Sequence, residues 1–149
     1  MDLGLKNKNV IVTGGTRGIG LAAAAACAAE GANISICGRT QDSLDAAMAA
    51  LAAHGTQIHG AICDIADAEQ IKIYIAAAEA ALGGIDGLVN NAGILHPMGL
   101  EDDREELLND MWEVNAKAPL RLTRLAFPYL RISGSGRVID IISMSGKRV

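Results

Sequence analysis

The residues with the strongest chemical meaning in this 149-residue chain fall in five short stretches. The first is Thr13-Gly14-Gly15-Thr16-Arg17-Gly18-Ile19-Gly20, which follows the β-branched run Val10-Ile11-Val12 and precedes the alanine-rich stretch Leu21 to Glu30. Strand, tight glycine turn and helix in immediate succession is a geometry that seats a dinucleotide phosphate. Gly14 permits the turn. Gly18 lets the backbone approach a pyrophosphate with no Cβ in the way, and Gly20 lets the helix pack close to the strand. The helix N-terminus then offers free N–H groups and a partial positive charge. The spacing is Gly-x-x-x-Gly-x-Gly rather than Gly-x-Gly-x-x-Gly.

The other four stretches are Cys37-Gly38-Arg39-Thr40, Cys63-Asp64-Ile65, Asn90-Asn91-Ala92-Gly93 with the later Asn115, and Val138 to Gly146, which holds Ser143 and Ser145. A dinucleotide site reads the adenosine ribose at the end of a second strand. An acid there accepts from the ribose hydroxyls and repels a 2′-phosphate. This chain has Gly38 and then Arg39, and a guanidinium pairs with phosphate in bidentate fashion. Arg17 supplies a second cation. The amides of an Asn-Asn-Ala-Gly turn bind neighbouring backbone. An asparagine within a helical stretch, as at Asn115, has below-average propensity, which suits a special task.

The elements that must position these residues alternate along the chain. Strands are predicted at 9–13, 33–37, 57–63, 85–90 and 138–142. Helices are predicted over 18–30, after a Thr40 cap, after an Asp67 cap with Gln70 in a capping box, and from 102 to about 131. Gly31, Gly55 and Gly83-Gly84 end the first three helices. Pro119 and Pro128 are expected to bend or interrupt the long fourth one. Alternation of this kind predicts a doubly wound α/β parallel sheet with helices on both faces and ligands at the carboxyl ends of the strands. No internal repeat or linker divides the chain, so residues 1–149 read as one domain.

Together these motifs resemble the classical branch of the short-chain dehydrogenase/reductase family, and the resemblance runs through all 149 residues. It implies a Rossmann-type fold of strand order 3-2-1-4-5 and an oxidoreductase that moves hydride between a nicotinamide and a carbonyl or alcohol substrate. It implies cofactor contacts at Thr13, Gly14, Thr16, Arg17, Gly18, Ile19, Gly20, Arg39, Asp64, Ile65, Asn91, Ala92 and Gly93. By charge and by resemblance, NADP(H) is expected over NAD(H). In the family an aspartate at the place of Asp64 contacts adenine. The carbonyl of an asparagine at the place of Asn115 holds a water of the proton relay. A serine leaving the fifth strand bonds the substrate oxygen; Ser143 matches it, with Ser145 the alternative. Ile142 departs from the small or polar residue common there. The resemblance also implies a Tyr-x-x-x-Lys pair about a dozen residues past the serine, and Val149 comes first. The chain is therefore expected to be part of a longer enzyme, with an inactive NADP-binding module as the alternative. Family members form homo-oligomers. Methyltransferases also use a glycine-rich loop after their first strand, but Arg39 and Asn-Asn-Ala-Gly argue against them.

Composition agrees. Half the residues are hydrophobic and only 3% aromatic, which predicts an aliphatic, alanine-rich core. The net charge of −4, with both signs mixed, gives no basic nucleic-acid face. No apolar run approaches the roughly 20 residues that cross a bilayer, and no signal-peptide core opens the chain. A cytoplasmic location is expected. Cys27, Cys37 and Cys63 are odd in number and lack Cys-x-x-Cys spacing, so they read as buried structural thiols rather than disulfide or metal ligands. His54, His59 and His96 show no metal-ligand spacing, and no metal site is expected.

Overall fold

The computed structural model describes residues 3–99 and 101–143. Five strands, β1 (Asn9–Thr13), β2 (Asn33–Gly38), β3 (Ile58–Ile62), β4 (Gly87–Asn90) and β5 (Arg137–Asp140), form one sheet in the order β3-β2-β1-β4-β5. Every neighbouring pair is parallel. The helices between them are α1 (Gly18–Ala29), α2 (Gln41–Ala52), α3 (Ala68–Leu82), α4 (Glu105–Trp112) and α5 (Ala118–Ile132). The expected fold class and strand order are those observed.

Alternation along β1 explains the two-sided core. Val10 and Val12 point to one face, where they join Ile34, Ile36 and the α1 and α2 residues Ala24, Ala28, Leu44 and Leu51. Ile11 points to the other, with Leu88 and residues of α3 and α5. A central strand with both faces buried takes the continuous aliphatic run seen here. Ala24 and Ala28 are fully buried, so α1 lies close against the sheet.

The caps follow the expected chemistry in part. Asp67 accepts from the N–H groups of Glu69 and Gln70, as a cap does. The Gln70 side chain closes onto the cap through its amide, which donates to Asp67 Oδ2 at 3.1 Å, while its Oε1 accepts from the N–H of Asp64 at 2.9 Å rather than from that of Asp67. Thr40 stands at the N-cap of α2 but makes no cap bond. Its hydroxyl pairs with that of Ser43 at 2.7 Å.

The long fourth helix is corrected more substantially. It does not run evenly from 102 to 131: the α-helical ladder is interrupted just ahead of Pro119, whereas Pro128 lies inside a continuous α5. α4 and α5 are joined by a π-helical turn, Glu113–Lys117. The reason is covalent. Pro119 has no N–H to give to the carbonyl of Asn115, four residues back. The ladder ahead of it widens, and the Ala118 N–H reaches the Glu113 carbonyl, five residues back. Pro128 lies within α5, where both it and Arg124 are exposed. Solvent reaches the Arg124 carbonyl that loses its donor there.

At the opposite end of the sheet, Asp86 gathers three elements. It accepts from Lys8 Nζ at 3.2 Å, the Asn9 N–H at 2.9 Å and the Ser133 hydroxyl at 2.5 Å. Burial would raise its carboxyl; the bonds from Ser133, Asn9 and Lys8 outweigh that and hold it below the ordinary value. Its contribution to stability is therefore complete above the unfolded value of about 3.9 and is lost as pH falls through the lower folded value. Asp86→Asn is expected to cost about 1–3 kcal/mol at pH 7. In urea titrations its gap from the parent chain should close below about pH 4.

Candidate functional site

The carboxyl ends of the strands open onto a cleft of about 330 Å³. The glycine turn forms one wall. Gly14 takes φ +62° and lies so close to the next strand end that a Cβ would stand 3.0 Å from both Ala92 Cα and Ala92 Cβ. Gly18 takes φ +55°, and a Cβ there would meet nothing within 4 Å. That position faces open space at the start of α1, as a close-approach glycine should. A Cβ on Gly20 would collide with the Gly14 carbonyl and the Asn91 amide. Its small size thus lets the turn fold under Asn91, rather than simply bringing helix and strand together.

Thr13 and Asn91 brace this wall. The Thr13 hydroxyl accepts from the N–H groups of Asn91 at 3.0 Å and Ala92 at 3.2 Å, and donates to the Val89 carbonyl at 3.4 Å. The Asn91 amide donates to the carbonyls of Thr13 at 2.9 Å and Gly14 at 3.2 Å. Thr13 is buried and does not border the cleft, whereas Asn91, Ala92 and Gly93 do. Neighbouring Asn90 gives its amide to Asp140 at 2.8 Å and to Thr123 at 3.3 Å, joining β4 to β5 and α5.

The far wall comes from the ends of β2 and β3. Gly38, Arg39, Asp64 and Ile65 border the cleft together with Thr16, Arg17 and Ile19 of the turn. Gly38 has a steric cause, because a Cβ there would lie 2.5 Å from Thr16 Cγ2. Arg17 and Arg39 are exposed, and neither joins an ion pair among the described residues. Arg17 occupies the N-cap of α1 without a capping side-chain bond, so no side chain of the cap covers the first N–H groups of the helix.

A second, wider cleft continues from the first through Ala92, Gly93 and Ile94, and it holds Asn115 and Ser143. Asn115 sits in the π-helical turn. Its Nδ2 donates to the Ile94 carbonyl at 2.7 Å, and its Oδ1 accepts from the Ile94 N–H at 2.9 Å. The side chain thereby fastens the loop after β4, a bond the sequence did not announce. Pro119, four residues on, was the available signal. Ser143 is exposed at the rim of this cleft. Ser145 lies outside the described residues.

Sequence reasoning also passed over the wall positions of Cys37 and Cys63, both free thiols and both at the cleft. Behind them is a buried polar chain in which Ser35 Oγ lies 2.9 Å from both Tyr74 Oη and His59 Nδ1. Burial pushes the His59 imidazole below its ordinary value and the Tyr74 phenol well above its own.

The model of the short chain dehydrogenase family matches residues 8–149, and the chain belongs to that family. The oxidoreductase YvrD of Bacillus subtilis is 37% identical over 146 residues, covering 98% of this chain and 55% of that protein. The D-beta-hydroxybutyrate dehydrogenase of Cupriavidus necator is 40% identical over 146 residues, covering 95% and 55%. Among solved structures, a short chain dehydrogenase from Burkholderia cenocepacia in complex with NADP superposes with a TM-score of 0.90 at 32% identity, over 97% of this chain and 59% of that one. The chain spans about half the length of these relatives.

Removing the Thr13 hydroxyl as Thr13→Val strips two half-buried N–H groups of their acceptor. It is expected to cost about 1–3 kcal/mol in chemical denaturation. Equal stability of the two chains would show that the brace carries no weight.

Proposed function

We propose that this chain is the cofactor-binding portion of an NADP(H)-dependent oxidoreductase acting on a carbonyl/alcohol pair. One observation carries the cofactor choice. Two guanidiniums, Arg17 and Arg39, border the cleft with no carboxylate paired to them among the described residues. The position where an acid would select NAD(H) is Gly38, pressed against Thr16. The cradle fits a dinucleotide: a left-handed Gly18 with open space beside it, and an α1 N-terminus without a capping side-chain bond. The B. cenocepacia relative is described with NADP bound, which supports the same reading.

In this proposal Arg39, with Arg17, holds the 2′-phosphate, Gly14 to Gly20 hold the pyrophosphate, and Asp64 and Ile65 flank the adenine. Asn91, Ala92 and Gly93 support the nicotinamide half. The cofactor, when bound, supplies or accepts the hydride. Ser143 hydrogen-bonds the reacting oxygen of the substrate, a donor whose bond strengthens as charge develops there. Asn115 anchors Ile94. Its own carbonyl, deprived of its helical donor by Pro119, is available to a proton relay. The acid that completes such a relay is not supplied by Tyr74, which is buried in α3, or by Tyr129, on α5. No Tyr-x-x-x-Lys pair occurs in the 149 residues.

Arg39→Asp is expected to shift the ratio of NADPH to NADH affinity about 10–100-fold toward NADH, the worth of one charge-assisted phosphate contact. Fluorescence titration of both cofactors measures it, and an unchanged ratio would overturn the assignment. In the enzyme that carries this chain, Ser143→Ala should lower kcat roughly 100-fold or more with little change in NADPH affinity. If Ser145→Ala does so instead, the substrate-binding serine is two residues further along.

A further inference from the structure

The wider cleft, the one that holds Ser143, has walls with a chemistry of their own. Ile94 and Leu95 come from the loop after β4, Leu120 from α5, and Ile141 and Ile142 from the segment after β5. Leu95 is 80% exposed and Ile142 83%, and Leu120 and Ile141 are exposed as well. Single apolar residues on a surface need no explanation, but several that converge on one concavity mark a ligand groove. Apart from Ile94, none of these five borders the cofactor cleft.

The polar groups among them do not suit an anion. Asp140, the last residue of β5, borders the cleft with its carboxylate. Asn90 borders it too, and its amide hydrogens are already given to Asp140 at 2.8 Å and Thr123 at 3.3 Å. Asn90 Oδ1 is buried with no donor among the described residues. The Asp140 carboxylate and Asn90 Oδ1 both accept, and neither has a hydrogen to offer an anionic group. No lysine, arginine or histidine borders this cleft among the described residues. The two clefts are thus opposite in character: two guanidiniums border the first, whereas the second sets a carboxylate among aliphatic side chains.

We propose that the substrate is an uncharged ketone, or the matching secondary alcohol, with an apolar substituent, and that carbonyl compounds bearing a carboxylate or phosphate are rejected. This substrate class rests on the reading of Ser143 as donor to the reacting oxygen. The aliphatic rim beside Ser143 receives the substituent, and each methylene it takes from water adds about fourfold to affinity. A charged end forfeits that gain and meets Asp140, a repulsion worth roughly 3–10-fold at a protein surface. The reaction is the hydride transfer above: one ketone, one NADPH and one proton give one alcohol and one NADP⁺.

The test uses the enzyme that carries this chain and two probes, acetophenone and 4-acetylbenzoate, which differ by a ring carboxylate. In steady-state assays with NADPH, kcat/KM should favour acetophenone about tenfold or more. Ile142→Ser should raise the KM for acetophenone roughly tenfold with little change in kcat, the mark of a contact made equally in the ground and transition states. Asp140→Asn keeps an acceptor for Asn90 and should narrow the preference about 3–10-fold by admitting the acid. Equal or better use of 4-acetylbenzoate, or a preference that neither substitution moves, overturns the proposal. An NMR titration of the isoleucine and leucine methyl groups in the same enzyme separates the two readings. Acetophenone should shift the signals of Leu95 and Ile142, and 4-acetylbenzoate should not. Those shifts without NADPH oxidation would count against the oxidoreductase reading alone. An absence of shifts with acetophenone overturns the substrate class, whatever the turnover of other carbonyl compounds.

Discussion

The site depends on one close approach. The end of β1 and the end of β4 meet at the point where the strand order reverses, and Gly14 and Gly20 leave room there for Asn91 and Ala92. Thr13 and Asn91 fix the distance by bonding each other's backbone in both directions. With no Cβ to hold the strands apart, the glycine turn is braced from below and its upper side faces the cleft. The N-terminus of α1 is aimed by that brace, not by a capping side chain of its own.

The second dependence lies in the helix that crosses behind the cleft. Pro119 deprives the Asn115 carbonyl of its regular donor, and the chain answers by widening into a π-helical turn. That turn presents the Asn115 amide squarely to the Ile94 peptide, in a paired bond like one rung of a sheet. One residue thus fastens the loop through its side chain from a turn where the regular helix ladder is interrupted.

Much of this was legible before any coordinates. The aliphatic strands, the left-handed glycines and the Asp67 cap follow from residue type and period, and each depends on near neighbours in the chain. Alternation and right-handed crossovers gave the parallel sheet, and the resemblance of the motifs gave its strand order. What escaped was contact between residues far apart in sequence. The Asn115–Ile94 pair spans 21 positions, and the Ser35–Tyr74 bond spans 39. The same holds for Gly20, whose neighbour is the Asn91 amide. The π-helical turn was missed for a different reason. The prolines were read as bending or interrupting the helix, without the kind of distortion, and the bond each one removes lies a turn earlier.

The strand order also bears on how such a chain acquires its structure. β1 is made first and ends in the middle of the sheet, with β2 and β4 on its two sides. None of the pairings is a hairpin; each needs a crossover to close before any ladder bond forms. The β1–α1–β2 unit and the β2–α2–β3 unit close over equal connections, 14–32 and 39–57, and build the sheet outward on one flank. The other flank of β1 stays bare until β4 arrives, some fifty residues after β2 by the bounds of the two strands. Parallel sheets of this kind fold slowly because loop entropy is lost before contacts repay it. The cleft is finished only when that second flank closes, so a competent phosphate cradle is among the last features to form.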